Sequence, residues 1–208
     1  MLHKMSITML ALILATPALA IVSQPIAEDA SVTPAGTIRM SGGVTLESDF
    51  QMYGVRGSYT LIDGLTAFLG AGIADPDFWG TGPYIQAGGS YALPNLNLPV
   101  DLALRGGLGF TTFSRGGADL DITSFNGGLL ASAPVHDMVT LYGFGGLSIV
   151  RTEVSGSFAG FRSSTSDTDT EPAIAVGGMF DLDQNISFYG ELAHIDELFI
   201  SVGARYTF

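Results

Sequence analysis

Apolar and polar residues alternate with a period of two along most of the chain from Gly36 onward. In the last eleven residues, one face carries Leu198, Ile200, Val202, Ala204, Tyr206 and Phe208, and the other carries Phe199, Ser201, Gly203, Arg205 and Thr207. Such alternation predicts β-strands with one apolar face. Ten segments of this kind, separated by turn-forming residues, predict strands at 36–47, 50–61, 65–74, 82–92, 99–112, 120–133, 138–152, 172–182, 185–194 and 198–208.

The connections between the predicted strands alternate in length. Tight turns are predicted at 62–64, 94–97, 134–137 and 183–185. Longer loops are predicted at 74–81, 113–119 and 153–171, of which the last is rich in Ser, Thr and Gly. Short turns at one end and longer loops at the other are typical of an antiparallel up-and-down membrane barrel.

Hydropathy favours a transmembrane barrel over a helical membrane protein. The mean hydropathy is +0.38, yet no run of about 18 apolar residues occurs, as a spanning helix requires. The 28 glycines also argue against helices, because glycine destabilises a helix interior. We therefore predict an all-β fold, a single transmembrane antiparallel up-and-down β-barrel over residues 36–208, with ten strands. If Glu47-Ser48-Asp49 is not a turn, the count falls to eight.

The chain begins with the features of a cleavable signal peptide. A charged start precedes an apolar run over 7–15, which is too short to span a bilayer, and Ala18-Leu19-Ala20 forms a small-x-small cleavage site. Residues 1–20 are therefore predicted to be removed. Residues 21–35 contain two prolines and no period, so they are predicted to be a flexible lead-in. The chain has no cysteine, and the exported protein is expected to fold without disulfides.

The charged residues of the predicted strands fall on the polar face. These residues are Arg39, Arg56, Arg105, Arg205, Glu47, Asp101 and Glu191. A charge facing lipid costs about 2–4 kcal/mol at the bilayer midplane, so the polar face must line the lumen. An unpaired buried charge is costly, and we therefore predict arginine–carboxylate pairs between strands. Two interpretations follow from this network: it fills a largely plugged lumen, or it lines a narrow channel for ions or small solutes.

The final strand resembles the C-terminal signal that the barrel-assembly machinery reads, with Gly203, Tyr206 and Phe208 at the matching spacing. Together with the leader and the strand series, it makes the chain similar to small bacterial outer-membrane barrels of the opacity-protein and OmpA-barrel type, the porin family. The resemblance implies a Gram-negative outer-membrane protein without enzymatic activity or cofactor. Its expected partners are outer-membrane lipid and lipopolysaccharide, the assembly machinery and periplasmic chaperones. The implied roles are structural stabilisation, surface interaction or limited solute passage.

The remaining candidates for chemistry are few. Without the leader, seven arginines stand against twenty acidic residues, a formal charge of 7 − 20 = −13, which disfavours nucleic acid as a partner. His194 could form a triad with Ser201 and Glu191, as in a lipid A-modifying enzyme. The alternating carboxylates of 167–171 are a weak calcium signal. Arg151, on the lipid-facing register, could meet a lipopolysaccharide phosphate.

Overall fold

The computed structural model describes residues 27–94, 98–158 and 161–208. Its strands are β1 Ile38–Glu47, β2 Phe50–Ile62, β3 Leu65–Pro76, β4 Gly82–Ala92, β5 Asp101–Arg115, β6 Ala118–His136, β7 Val139–Phe158, β8 Phe161–Asp181, β9 Ile186–Ile195 and β10 Glu197–Thr207. Each strand pairs antiparallel with the next, and β10 pairs with β1, so the sheet closes into a barrel. The predicted signal peptide and residues 21–26 of the predicted lead-in lie outside the described residues.

The ten-strand prediction is confirmed, and the eight-strand alternative is wrong. The uncertain connection at Glu47-Ser48-Asp49 is a tight hairpin in which Glu47 pairs with Phe50. The Glu47 carboxylate accepts hydrogen bonds from the Ser48 hydroxyl at 2.5 Å and from the Asp49 amide at 3.3 Å. These local bonds satisfy the polar groups of the turn, so no longer loop is needed here.

The two ends of the barrel differ. The first residue of the predicted barrel, Gly36, and the last residue, Phe208, lie at one end, which we call the terminal end; the Gly36 amide donates to Thr60 and the Phe208 amide donates to Ile38. The opposite end, which we call the hairpin end, carries the connections from β1 to β2, β3 to β4, β5 to β6, β7 to β8 and β9 to β10.

The prediction of a long loop at 153–171 is wrong. β7 and β8 remain paired from Val139↔Phe180 to Phe158↔Phe161. Their Ser- and Thr-rich sequence has a loop-like composition, but threonine is also favoured in strands. The predicted 113–119 loop likewise narrows to a two-residue turn at Gly116 and Gly117, with φ of 62° and 86°. Positive φ at both central residues belongs to the type I′ hairpin turn, whose twist matches that of the paired strands.

At the hairpin end, β7 and β8 extend well beyond the neighbouring strand β9. β8 pairs with β9 only from Ile174↔His194 to Asp181↔Ser187, whereas its pairing with β7 continues to Phe161. Toward the hairpin end, outward-facing positions change from apolar to polar beyond Ile149 on β7 and beyond Pro172 on β8. We call residues 150–158 and 161–173 the hairpin extension. At about 3.4 Å per residue, β7 continues for about 30 Å past Ile149.

Alternation separates the two faces of the wall as predicted. Outward residues are apolar and exposed, including Leu69 at 66% and Val55 at 59%, whereas Arg56 and Arg105 face inward at 3% and 6%. In the described part of the chain, no helix is long and apolar enough to cross a membrane.

The prediction of a flexible lead-in is wrong for residues 27–31 and Thr33, which are buried or partly buried inside the barrel, whereas Val32, Pro34 and Ala35 are exposed. Ala27, Glu28 and Ala30 are 1%, 3% and 1% exposed. The Ala30 amide donates to the Ser132 hydroxyl at 2.8 Å, and the Thr33 carbonyl accepts from Gly64 at 2.9 Å. The segment shows no period because its backbone is held by the lumen wall and not by a strand ladder.

Candidate functional site in the barrel lumen

Glu28 occupies the space between two lumenal arginines. Its carboxylate lies 3.8 Å from Arg56 Nη2 and 3.6 Å from Arg105 Nε. Counting side-chain atoms alone, all three residues are at most 4% exposed. The Phe68 ring lies 5.3 Å from the Arg56 guanidinium and 4.8 Å from that of Arg105, measured from the ring centroid. The aromatic ring and the carboxylate together hold both cations in place.

Asp29 makes the equivalent contact with the other two lumenal arginines. Its Oδ2 lies 3.9 Å from Arg39 Nη1 and 3.4 Å from Arg205 Nη1. The Ser31 amide and hydroxyl both donate to the same carboxylate. Burial raises the pKa of the Asp29 carboxyl, but two guanidinium groups and the Ser31 hydrogen bonds outweigh burial, so its pKa lies below the ordinary value.

Adjacent acids of the N-terminal segment therefore neutralise four arginines that come from four different strands. Of the carboxylates predicted to do so, only Glu191 lies in the lumen, where it is 5% exposed and accepts a hydrogen bond from Tyr142 at 2.8 Å. Asp101 is exposed, and Glu47 bonds within its own turn at the hairpin end. Neither reaches the arginines, because each stands at the end of its strand.

The lumen at the hairpin end is apolar. Its inward side chains are between 0% and 5% exposed and include Phe50, Met52, Trp79, Tyr84, Phe113, Leu120, Ile122 and Phe199. Phe50 and Phe199 meet edge to face, with ring centroids 6.5 Å apart. The lumen therefore contains a polar layer, formed by residues 27–33 and the arginines, and an apolar layer toward the hairpin end.

Inward glycines make room for the aromatic rings between these layers. A Cβ at Gly203 or Gly43 would collide with the Tyr189 hydroxyl, and one at Gly177 would lie 2.5 Å from the Tyr142 hydroxyl. The mid-strand glycines thus allow rings to lie flat against the wall. Gly203 of the predicted assembly signal is one of these positions.

The other two residues of the predicted assembly signal face outward at the terminal end. Tyr206 is 42% and Phe208 is 66% exposed. Their rings meet edge to face with centroids 4.7 Å apart. The pair forms an exposed aromatic patch at the end of β10.

The candidate triad of a lipid-modifying enzyme is not formed. Glu191 and Ser201 face the lumen, where Ser201 Oγ lies 2.9 Å from Thr45 Oγ1. His194 is exposed on the opposite face of the wall, and its Nδ1 lies 3.2 Å from the Glu197 carbonyl oxygen. Residues at positions of opposite parity on paired strands cannot meet through the wall.

Neither of the two surface candidates is a ready-made site. Asp167, Asp169 and Glu171 lie on an extended strand and not in a loop, and the described residues contain no group of three His, Cys, Asp or Glu side chains that could hold a metal ion. Arg151 faces outward, 61% exposed, with Nη2 3.6 Å from Glu153 Oε2.

The closed antiparallel barrel, with its outward apolar band and filled polar lumen, defines a transmembrane β-barrel protein. Residues 8–208 match the family described as the outer membrane protein beta-barrel domain, and the chain belongs to this family. It is therefore a protein of the bacterial outer membrane. No curated protein matches the chain significantly.

Several solved structures share the barrel at low sequence identity. The N-terminal β-barrel domain of Pseudomonas aeruginosa OprF is 11% identical with a TM-score of 0.43, covering 85% of this chain and all (100%) of that one. Ail, the attachment invasion locus protein of Yersinia pestis, is 16% identical with a TM-score of 0.39, covering 84% and 99%. The KdgM porin is 12% identical with a TM-score of 0.42, covering 82% and 99%.

Proposed function

We propose that the protein is a non-conducting, non-enzymatic outer-membrane barrel with a structural or surface-interaction role. The observation that carries this proposal is the filled lumen. Glu28 and Asp29 neutralise the four arginines from inside the barrel, and a layer of apolar side chains follows toward the hairpin end. An ion would have to displace both layers, and an apolar constriction alone opposes the passage of ions by excluding water.

A narrow channel for ions or small solutes is the second candidate. Four arginines in one lumen would attract anions if the N-terminal segment left it. Residues 27–35 belong to no strand; hydrogen bonds, ion pairs and the packing of Ala27 and Ala30 hold the segment. The two proposals therefore differ in whether the segment and the apolar layer stay in place.

Single-channel recording on the refolded mature chain distinguishes these proposals. We expect a planar bilayer to stay silent while heat-dependent gel mobility shows that the protein is folded. Steady current steps that change with Arg105→Gln, but not with the exposed control Arg115→Gln, would refute the closed barrel and support the channel. Both variants remove one positive charge, so only the position of that charge differs.

The expected partners follow from the same proposal. The outward apolar band would contact outer-membrane lipid and lipopolysaccharide, and periplasmic chaperones would carry the unfolded chain to the assembly machinery. The exposed Tyr206–Phe208 ring pair supports recognition by that machinery. In proteoliposomes that contain the machinery, Phe208→Ala should slow assembly relative to Leu198→Ala, which also removes an exposed apolar side chain. Equal rates would contradict the role of Phe208.

The hairpin extension supports a role at the cell surface. With the terminal end in the periplasm, the hairpin end faces outward, and residues 163–170 stand exposed in a polar strand. Protease added to intact cells should cut this segment. Protection in intact cells, followed by cleavage after the outer membrane is opened, would reverse the orientation.

A further inference from the structure

One edge of the hairpin extension has no neighbouring strand. β8 pairs with β7 over its whole length, but its pairing with β9 begins only at Ile174. Over residues 161–173, the backbone groups on the β9 side therefore have no strand partner among the described residues. A strand edge of this length presents a row of amides and carbonyls to which another extended chain can add.

Both faces of β8 are exposed along this edge. All side chains from Ser163 to Thr170 are exposed. Within 163–171 there is no proline, which would remove an amide donor. Pro172 stands only at the base, beside the first pair with β9. These nine consecutive residues form an edge longer than a typical strand of about five or six residues. Within it, the Thr168 amide donates to the Asp167 carboxylate at 2.9 Å.

The charged side chains of residues 163–171 are all acidic and lie on one face of the strand. Asp167, Asp169 and Glu171 alternate along the strand, so their side chains share one face. Their partners across β7 are Thr152, Val150 and Ser148, none of which is a cation. No ion pair of these three carboxylates is present in the described part of the chain.

More carboxylates stand where an added strand would begin. The β9–β10 turn at the base of the edge contains Asp196, which is exposed, and Glu197, which is partly exposed. An extended chain laid along β8 would follow the line of β9 past this turn. It would therefore meet Asp196 and then the three carboxylates of β8, whereas the Glu197 carboxyl is engaged in a hydrogen bond with Glu47.

We propose that residues 163–171 dock an extended partner segment that carries Lys or Arg at alternating positions and adds to β8 as a further antiparallel strand. Backbone hydrogen bonds would provide the pairing, and the basic side chains would match Asp167, Asp169 and Glu171. A second copy of this chain is disfavoured, because two-fold pairing of the edges sets acidic face beside acidic face. The inference deepens the surface-interaction role and rests on that proposed function.

The probe is a ten-residue peptide of alternating Thr and Lys, titrated onto the full mature protein in nanodiscs. We expect saturable binding by fluorescence anisotropy, weakening with salt, with hydrogen-exchange protection of residues within 163–171. The variant Asp167→Asn/Asp169→Asn/Glu171→Gln should weaken binding about tenfold, since three exposed ion pairs are lost. The matched control Asp137→Asn/Asp183→Asn/Asp63→Asn removes three carboxylates of terminal-end turns and should leave affinity unchanged.

Backbone methylation separates strand addition from simple charge attraction. An edge strand uses the amides of alternate residues only, so peptides N-methylated at odd or at even positions keep their charge but should differ by about tenfold in affinity. Equal affinities, binding without protection of 163–171, no binding, or dimerisation through this edge would each overturn the proposal. Conductance is a separate measurement, so a conducting barrel would refute the closed-barrel function without affecting this result.

Discussion

Glu28→Gln should lower the free energy of unfolding more than the removal of any exposed charge does. The substitution keeps the volume and removes the negative charge that Arg56 and Arg105 share at 3.8 and 3.6 Å. At an effective dielectric constant of about 20, each pair contributes an attraction of about 4–5 kcal/mol. Desolvation of the three charges offsets much of this, and breaking one partner of a buried pair typically costs about 3–5 kcal/mol.

We expect a loss near the lower end of that range, about 3 kcal/mol in the free energy of unfolding. The Phe68 ring still contacts both guanidinium groups, and Glu191 remains in the same lumen as a second source of negative charge. Both features lessen the penalty for two arginines that lose their carboxylate. Glutamine also retains an oxygen that can accept a hydrogen bond.

The assay is equilibrium urea unfolding in lipid vesicles, followed by the fluorescence of Trp79, the single tryptophan of the chain, which is 5% exposed in the folded barrel. Asp101→Asn is the control, because it removes an exposed carboxylate outside the network and should change stability by less than about 0.5 kcal/mol. The double variant Glu28→Gln/Arg105→Gln should lose less than the sum of its single variants, since it removes both members of one pair.

Two results would refute this reasoning. If Glu28→Gln were within about 0.5 kcal/mol of wild type, the segment would not be held by its charge. If the Glu28→Gln and Arg105→Gln losses were additive, the two side chains would not interact, and the measured stability would come from other contacts of the lumen.

Three further outcomes test other parts of the structure. Because the folded pKa of Asp29 lies below its unfolded value, the carboxylate stabilises the fold above the unfolded pKa of about 3.9, and this stabilisation is lost as the pH falls through the folded pKa. The free energies of unfolding of wild type and Asp29→Asn should therefore converge at low pH. A difference that stays constant with pH would contradict the pairing. Gly128→Ala, whose Cβ would lie 2.6 Å from the Gly146 Cα, should cost about 1–3 kcal/mol, whereas Gly145→Ala, with nothing within 4 Å, should be nearly neutral. His194→Ala should leave lipid A unchanged by mass spectrometry when the protein is overexpressed, and a His194-dependent modification would restore the enzyme hypothesis.

The orientation of the wall was predictable because it follows from local alternation and a strong solvent preference. In β5, apolar Leu104 and Leu108 face outward, and Arg105 faces the lumen. A one-residue shift would expose the arginine to lipid, at a cost of about 2–4 kcal/mol at midplane. Each strand therefore carries enough information to assign its own faces.

The hairpin extension was not predictable from the same rule. Outside the lipid, both faces of residues 163–170 are exposed, so no apolar stripe marks the strand, and the Ser- and Thr-rich composition resembles a loop. The strand exists because β7 pairs with it residue by residue. Pairing partners are a property of the hairpin as a whole and leave no periodic signal in either half.

The positions of the arginines in the alternating pattern predict a polar lumen, but they do not predict which carboxylates pair with the arginines. Asp29 meets Arg205 across a sequence separation of 176 residues, and only closure of the barrel brings them together. Period-two alternation follows from strand geometry, so the membrane barrel and the orientation of its wall can be derived residue by residue, whereas the choice of ten strands over eight depended on the Glu47–Phe50 hairpin. The lumen is filled by the segment that enters the closed barrel and pairs with its buried charges. Those charges come together only when the barrel closes, so the local sequence pattern does not reveal the segment.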